Sequence, residues 1–239
     1  QVTLAAGETI TMNAGIDGHL QVAVDPATVS ALVENKELIK ADGGQVIMTA
    51  RAAGELLSAV VSNSGTVRAR TIENHSGKIM LLADMKQGRT IVSGTLDASG
   101  KTLGQTGGSV TVLGNQVGLL DSAKVDVSGD VGGGTALIGG NYQGHGPEPN
   151  ARVTVVGAKA SINADAITKG DGGKVVVWAG DTTKYYGTIS ARGGTAGGNG
   201  GNVETSGKQI LDMRGTVDAS AVSGTAGKWL LDPNNVTIQ

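Results

Sequence analysis

Cysteine and phenylalanine are both absent from this chain, and the aromatic residues that remain, two Trp and three Tyr, make up 2% of it. Without aromatics, packing loses the side chains that each bury the most area. An interior must then be thin, built of Val, Ile, Leu and Ala and laid down repetitively. The missing cysteines fit a reducing cytosol, and equally a protein that crosses membranes unfolded, where a premature disulfide would obstruct passage. No run of Lys or Arg exceeds two residues and the formal net charge is −2, so the electrostatic footprint of a nucleic-acid partner is missing. No apolar stretch reaches the roughly 18 residues that a membrane-spanning helix needs. Residues 1–10 lack the basic and apolar regions of a signal peptide, so export would rely on a signal outside this sequence.

Glycine is abundant instead, with 40 copies among 239 residues, against a usual share of about 7%. The glycines keep no every-third-residue period, which excludes collagen, and 39% hydrophobic residues is too many for a disordered Gly-rich polymer. They recur as an element of the type Gly-Gly-x-Val: Gly43-Gly44-Gln45-Val46, Ser76-Gly77-Lys78-Ile79, Gly107-Gly108-Ser109-Val110, Gly133-Gly134-Thr135-Ala136, Gly172-Gly173-Lys174-Val175, Gly200-Gly201-Asn202-Val203 and Ala226-Gly227-Lys228-Trp229. Start-to-start intervals are 33, 31, 26, 39, 28 and 26 residues. A second element keeps the same beat, as in Gly94-Thr95-Leu96-Asp97-Ala98, Gly187-Thr188-Ile189-Ser190-Ala191 and Gly215-Thr216-Val217-Asp218-Ala219. It alternates apolar and polar residues with the period of a half-buried strand.

Two strands per unit of about 28 residues, with turns between them and no intervening helix of about ten residues, predict a stacking β-solenoid. The expected fold is all-β, a right-handed parallel β-helix of eight or nine coils, a rod of roughly 40 Å at about 4.8 Å per coil. A propeller or sandwich fits less well, because blade signatures and hairpin turns every 8–12 residues or so are missing.

Two segments break the strand pattern and read as short helices flanking the N-terminal side of the rod. One runs from Asp25 and Pro26 through Val29, Leu32 and Val33 to Glu34; the other runs from Ala50 to Val61. The long interval holds Pro147 and Pro149 and predicts a loop near 141–151. The organisation expected is therefore one β-helix segment over 1–239, with helical excursions in 1–75 and regular Gly-rich coils in 76–239.

Long matching stretches carry a resemblance. Gly172-Gly173-Lys174-Val175-Val176-Val177-Trp178-Ala179, the run from Val24 to Lys36, and Gly227-Lys228-Trp229-Leu230-Leu231-Asp232-Pro233-Asn234-Asn235-Val236-Thr237-Ile238 resemble the passengers of two-partner secretion exoproteins, adhesins of the filamentous haemagglutinin type. The resemblance covers nearly the whole chain. It implies passage unfolded through a dedicated outer-membrane pore, folding outside the cell, and secretion or display at the bacterial surface. It also implies a rod that attaches to cells, surfaces or matrix polysaccharide through a glycan or protein receptor. The secretion motif of the Asn-Pro-Asn kind belongs to an N-terminal domain in that family; its nearest text here, Asp232-Pro233-Asn234-Asn235, is at the other end, which places the signal upstream.

Chemistry is sparse. Asp97, Asp126 and Asp218 recur at one position of the second element and could form the acidic stripe of a carbohydrate-active β-helix, a lyase or hydrolase, which is the alternative function. Outward Asp beside a turn, solubilising the rod, explains them better. Gly94 to Thr102 resembles a phosphate loop but has five residues between its glycines where four are required. Gly197-Gly198-Asn199-Gly200-Gly201-Asn202 resembles a calcium nonapeptide, but Asn replaces the ligand Asp and Glu204 stands where an apolar residue belongs. His19, His75 and His145 lie apart, so neither a metal nor any other cofactor is expected. Trp178, Tyr185 and Tyr186 share one coil and, with Tyr142 and His145 of the loop, are the candidates for contact with a glycan; core packing explains Trp178 equally well. Uncapped terminal coils offer unpaired strands for end-to-end self-association. An enzyme is not expected.

Overall fold

The structure, a computed structural model, describes the chain except residues 15–19, 28–29, 54–58, 74, 233–234 and 239. It is a parallel β-solenoid. Each of seven coils contributes a strand to three sheets, and an eighth coil supplies two more strands. The first sheet runs from Val2–Ala6 through Gln45–Ala50, Lys78–Ala83, Ser109–Leu113, Thr135–Ile138, Lys174–Ala179 and Asn202–Gly207 to Lys228–Leu230. The second runs from Ala31–Asn35 to Asn235–Ile238, and the third from Leu38–Lys40 to Thr216–Asp218.

The Gly-Gly element sits at the corner entering the first sheet. There the chain passes so close to the coil below that a Cβ on Gly134, Gly173 or Gly201 would strike the carbonyl oxygen of the equivalent glycine one coil earlier. The same carbonyl accepts the ladder bond that starts the strand, as in Lys174 N to Gly134 O at 2.9 Å and Asn202 N to Gly173 O at 3.0 Å. Glycine is therefore required by close approach of backbones, and the repeat in the sequence is the mark of that corner.

Inside, side chains stack in register. Val46, Ile79, Val110, Ala136, Val175 and Val203 form one row, and Val67, Leu96, Val125, Ile162 and Ile189 another, all essentially buried. Several polar side chains enter the interior with partners, while the buried Thr71 Oγ1 has none among the described residues. Asn35 Nδ2 donates to Asn63 Oδ1 at 2.7 Å across adjacent coils. Thr90, Thr154 and Thr183 each donate a hydroxyl to a carbonyl of the next first-sheet strand, at 2.6, 2.8 and 2.7 Å. These bonds tie the second-sheet strand of one coil to the first-sheet strand of the next.

Three expectations need correction. A coil has three strands, not two; the second-sheet strand was missed because it lacks a fixed turn motif. Complete coils number seven rather than eight or nine. The predicted helices give way to strands in the residues described: Ala31–Asn35 pairs in parallel with Ala59–Asn63, burying Ala31, Val33 and Asn35 and leaving Leu32 59% exposed. Period-two burial wins because both segments can extend an existing sheet, which a helix of marginal length cannot match. Residues 28–29 and 54–58 of those expected helices lie outside the described residues. The excursion that does occur near the N-terminal side is an antiparallel hairpin, Ile10–Ala14 with Leu20–Val24.

Candidate functional site

The outer row of the first sheet is unusually apolar. Ile47, Met80, Thr111, Leu137 and Val176 stand in register, and Glu204 follows them one coil later. The loop over 141–151 folds across this face. Leu137, Val176 and Trp178 form a small cluster outside the main core, with Trp178 6% exposed. Gly144 lies so close over the indole that a Cβ there would overlap the ring. The loop is tied by Asn150 Nδ2 to Gly144 O at 2.8 Å, Asn141 Nδ2 to Glu148 Oε2 at 2.6 Å and Lys174 Nζ to Asn141 Oδ1 at 3.2 Å.

Glu204 clamps the loop tip. Its carboxylate is 1% exposed; Oε2 accepts the backbone N–H of Gln143 at 2.8 Å, while Oε1 is buried without a hydrogen bond. Burial pushes its pKa up, against the opposing pull of the Gln143 hydrogen bond and the Lys174 charge. Gln143 takes a left-handed conformation, φ 53°, that aims its N–H at the carboxylate. The residue was visible in the sequence only as an acid at an apolar position.

The five glycan candidates do not converge. Trp178 is covered. Tyr185 is wholly buried in the interior row of Val92, Leu119 and Val156, its hydroxyl donating to Thr216 O at 2.5 Å. Its ring is closed to a ligand, and burial raises its pKa. Tyr186 donates to Asp212 Oδ2 at 2.5 Å, with the Arg214 guanidinium 5.7 Å from its ring centre. Tyr142 is 44% exposed, with Lys174 Nζ 5.5 Å from its ring centre, and His145 is exposed on the same loop. Tyr142 and His145 are therefore the only members of the set that share a solvent-facing surface.

The acidic stripe is also reassigned. Asp97 and Asp126 are register partners, but Asn163 and Ser190 interrupt the row before Asp218. Each acid closes an Asx turn at the exit of the third sheet: Oδ1 accepts Ser99 N at 3.1 Å, Ser128 N at 3.0 Å and Ser220 N at 3.0 Å, and Asn163 does the same for Asp165 N at 3.0 Å. Cations then span the coils, Arg70 to Asp97 at 2.7 Å and Lys101 to Asp126 at 2.6 Å. Burial opposes ionisation of Asp97, but Arg70 and Ser99 outweigh it and hold the carboxyl below its usual range. These are turn-forming groups, explained by the local competition of Asp side chains for backbone N–H. Gly94 to Thr102 contributes the strand Thr95–Asp97 and its exit turn. Among the described residues no three His, Asp or Glu side chains come together; His19 lies outside them.

Comparison with known proteins agrees with the resemblance seen in the sequence. The HMW1 secretion domain from Haemophilus influenzae superposes with a TM-score of 0.74 and 28% identity over 96% of this chain and 57% of that domain. A heme/hemopexin-binding protein from Haemophilus influenzae is 32% identical over 84 residues, 35% of this chain and 9% of that protein. The likeness is to the two-partner secretion exoproteins. No family model matches the chain. The chain spans little more than half of one relative and under a tenth of the other. Both relatives are described by secretion or binding, not by catalysis.

Proposed function

We propose that this chain is one continuous β-helical segment of an exported exoprotein, threaded unfolded through a dedicated outer-membrane transporter and folded outside into a rod that presents adhesive surfaces to cells, surfaces or matrix polysaccharide. The carrying observation is the match to the HMW1 secretion domain along 96% of the chain. The physics supports it. A cysteine-free chain threads without crosslinks, and a solenoid can nucleate on a few coils and grow by addition of the next as it emerges. End-to-end association of coils through backbone pairing belongs to the same reading.

Expression of the exoprotein in bacteria with and without its transporter tests the reading. Protease added to intact cells should meet the chain only when the transporter is present. Equal accessibility in its absence would remove the two-partner route.

A further inference from the structure

Two of the four aromatic side chains singled out for glycan contact, Trp178 and Tyr185, are spent on packing, so a ligand surface is sought elsewhere on the rod. Two adjoining depressions, of about 370 and 350 Å³, lie along the outer third sheet and its exit turns. They share Asn163, Asp165 and Arg192. The larger runs from Lys101 and Ser128 through Asp165 and Arg192 to Ser220 and Val222, one step in each of five successive coils, which is roughly 20 Å at an inter-strand spacing of about 4.8 Å. It is a channel parallel to the rod axis, shaped for a chain molecule rather than a compact one.

At its centre is a fixed pair. The Asp165 carboxylate, 8% exposed, accepts Ser190 Oγ at 2.6 Å, Arg192 N at 2.7 Å, and Arg192 Nε and NH2 at 3.0 and 2.7 Å. Both guanidinium donors converge on Oδ2 and hold Arg192 against the rod while 55% of its side chain faces solvent. Ile167 and Val222, 42% and 76% exposed, supply aliphatic surface beside it. The charged side chains lining the two depressions cancel, Lys101 and Arg192 against Asp165 and Asp218. A polyanion would gain nothing there from charge complementarity. A row of preorganised donors and acceptors flanked by aliphatic groups matches a polyhydroxylated chain with apolar ring faces.

We propose that this channel binds a neutral glycan chain lying along the rod axis, with the Asp165 and Arg192 pair as its central hydrogen-bonding group and Val222 at its apolar rim. The proposal rests on the adhesive reading above and gives that reading a place and a ligand class. The test uses the purified chain on arrayed gluco-, manno- and galacto-oligosaccharides, beside hyaluronan and heparin fragments. Retention of a neutral oligosaccharide should be unchanged between about 0.05 and 0.5 M salt, since screening acts on charge attraction. Arg192→Ala should weaken it about tenfold or more, and so should Val222→Glu, a substitution at an exposed position that leaves thermal unfolding unchanged. Retention only of the acidic fragments, fading with salt, overturns the proposal; so does silence on the whole array, and so does neutral-glycan binding that both variants leave intact. The protease experiment separates the two levels: a chain that reaches the surface yet binds no glycan defeats the channel alone, whereas binding by the purified chain stands even where the export route fails.

Discussion

Replacement of Glu204 by Gln should stabilise the protein at neutral and alkaline pH while costing it part or all of that gain in acid. The carboxylate is buried, one oxygen accepts the Gln143 N–H and the other has no hydrogen bond. Its pKa is raised, chiefly by desolvation. The folded state therefore keeps this proton in the window above the unfolded pKa and below the folded one, where the unfolded chain has already released it. Stability contributed by the protonated form is complete below that window and is lost as pH rises through the folded pKa. Glutamine keeps an acceptor for Gln143 and has no charge to desolvate. A buried polar group left unpaired costs about 1–3 kcal/mol, and more when charged, so the variant should gain on the order of 1–2 kcal/mol near pH 8, or roughly 2–8 °C in Tm for a chain of this length. Urea unfolding of both proteins at about pH 4 and pH 8 isolates the effect, since Asp42, Asp97 and Asp218, whose pKa values are lowered, titrate equally in both. A stability difference that is the same at the two pH values would falsify the assignment of a titrating, desolvated Glu204. A variant less stable at pH 8 would show that the carboxylate is worth more to the loop than its burial costs.

Truncation of Tyr185 to Ala should cost about 3–5 kcal/mol through the cavity left in the interior row, and Tyr185→Phe about 1 kcal/mol for the bond to Thr216; equal losses in denaturant melts would place the hydroxyl rather than the ring at the centre of its role. Gly173→Ala should destabilise by more than about 2 kcal/mol, because the new Cβ meets a backbone oxygen that cannot move without breaking the ladder; hydrogen exchange should show loss of protection beginning at the coil of Lys174–Ala179, and uniform loss along the rod would contradict a coil-by-coil origin. Asp97→Ala should cost about 1–2 kcal/mol, since the acid is 7% exposed and serves both Ser99 and Arg70, whereas the same change at exposed Asp218 should cost only a few tenths; thermal melts that rank them the other way would undo the burial argument.

The periodic part of this fold was legible because its cause is local. Gly-Gly recurs where two backbones meet, and Asp or Asn recurs where a side chain bridges two residues to close a turn, at Asp97, Asp126, Asn163 and Asp218, so several coils write both marks into the sequence. The second-sheet strands write neither. Arg89–Val92, Gln116–Leu119 and Thr182–Tyr185 share only an inward Thr or Val and an inward apolar residue, a signal too short to stand out without its neighbours. The helices expected over 25–34 and 50–61 failed for the related reason that Leu32 and Val33, or Val60 and Val61, satisfy a helical face and a strand edge alike until the pairing partner is known. The candidate site was read least well: rare aromatics drew attention, but rarity says nothing about which side of a strand a residue faces. Trp178 and Tyr185 lie an odd number of positions apart across a corner, and both turned out to be covered, one outside the core and one within it.

The distribution of variable material around the rod bears on where function can sit. The interior is fixed coil by coil by register, so any residue that departs from the row disturbs two neighbours at once. Exits from the third sheet are different: after the conserved geometry of the Asx turn, the chain runs through Gly-rich excursions of unequal length before the next Gly-Gly corner, from Ser99 to Thr106, Ser128 to Gly132, Asp165 to Asp171 and Arg192 to Asn199. These excursions stack on one side, bound to each other by contacts such as Gly104 N to Asp130 Oδ2 at 2.7 Å and Asn199 N to Asp171 Oδ1 at 2.7 Å. Side chains such as Lys101, Leu103, Ile167 and Lys169 face solvent there, while the backbones are held by the strands that precede and follow them. A surface that is both variable and rigid is what recognition of an extended partner requires. The loop over 141–151 is the other such surface, but there the buried Trp178 and Glu204 of the first sheet hold the loop down. The third-sheet corner is thus where a change of sequence alters contacts with a partner at the least expense to the stacking that makes the rod.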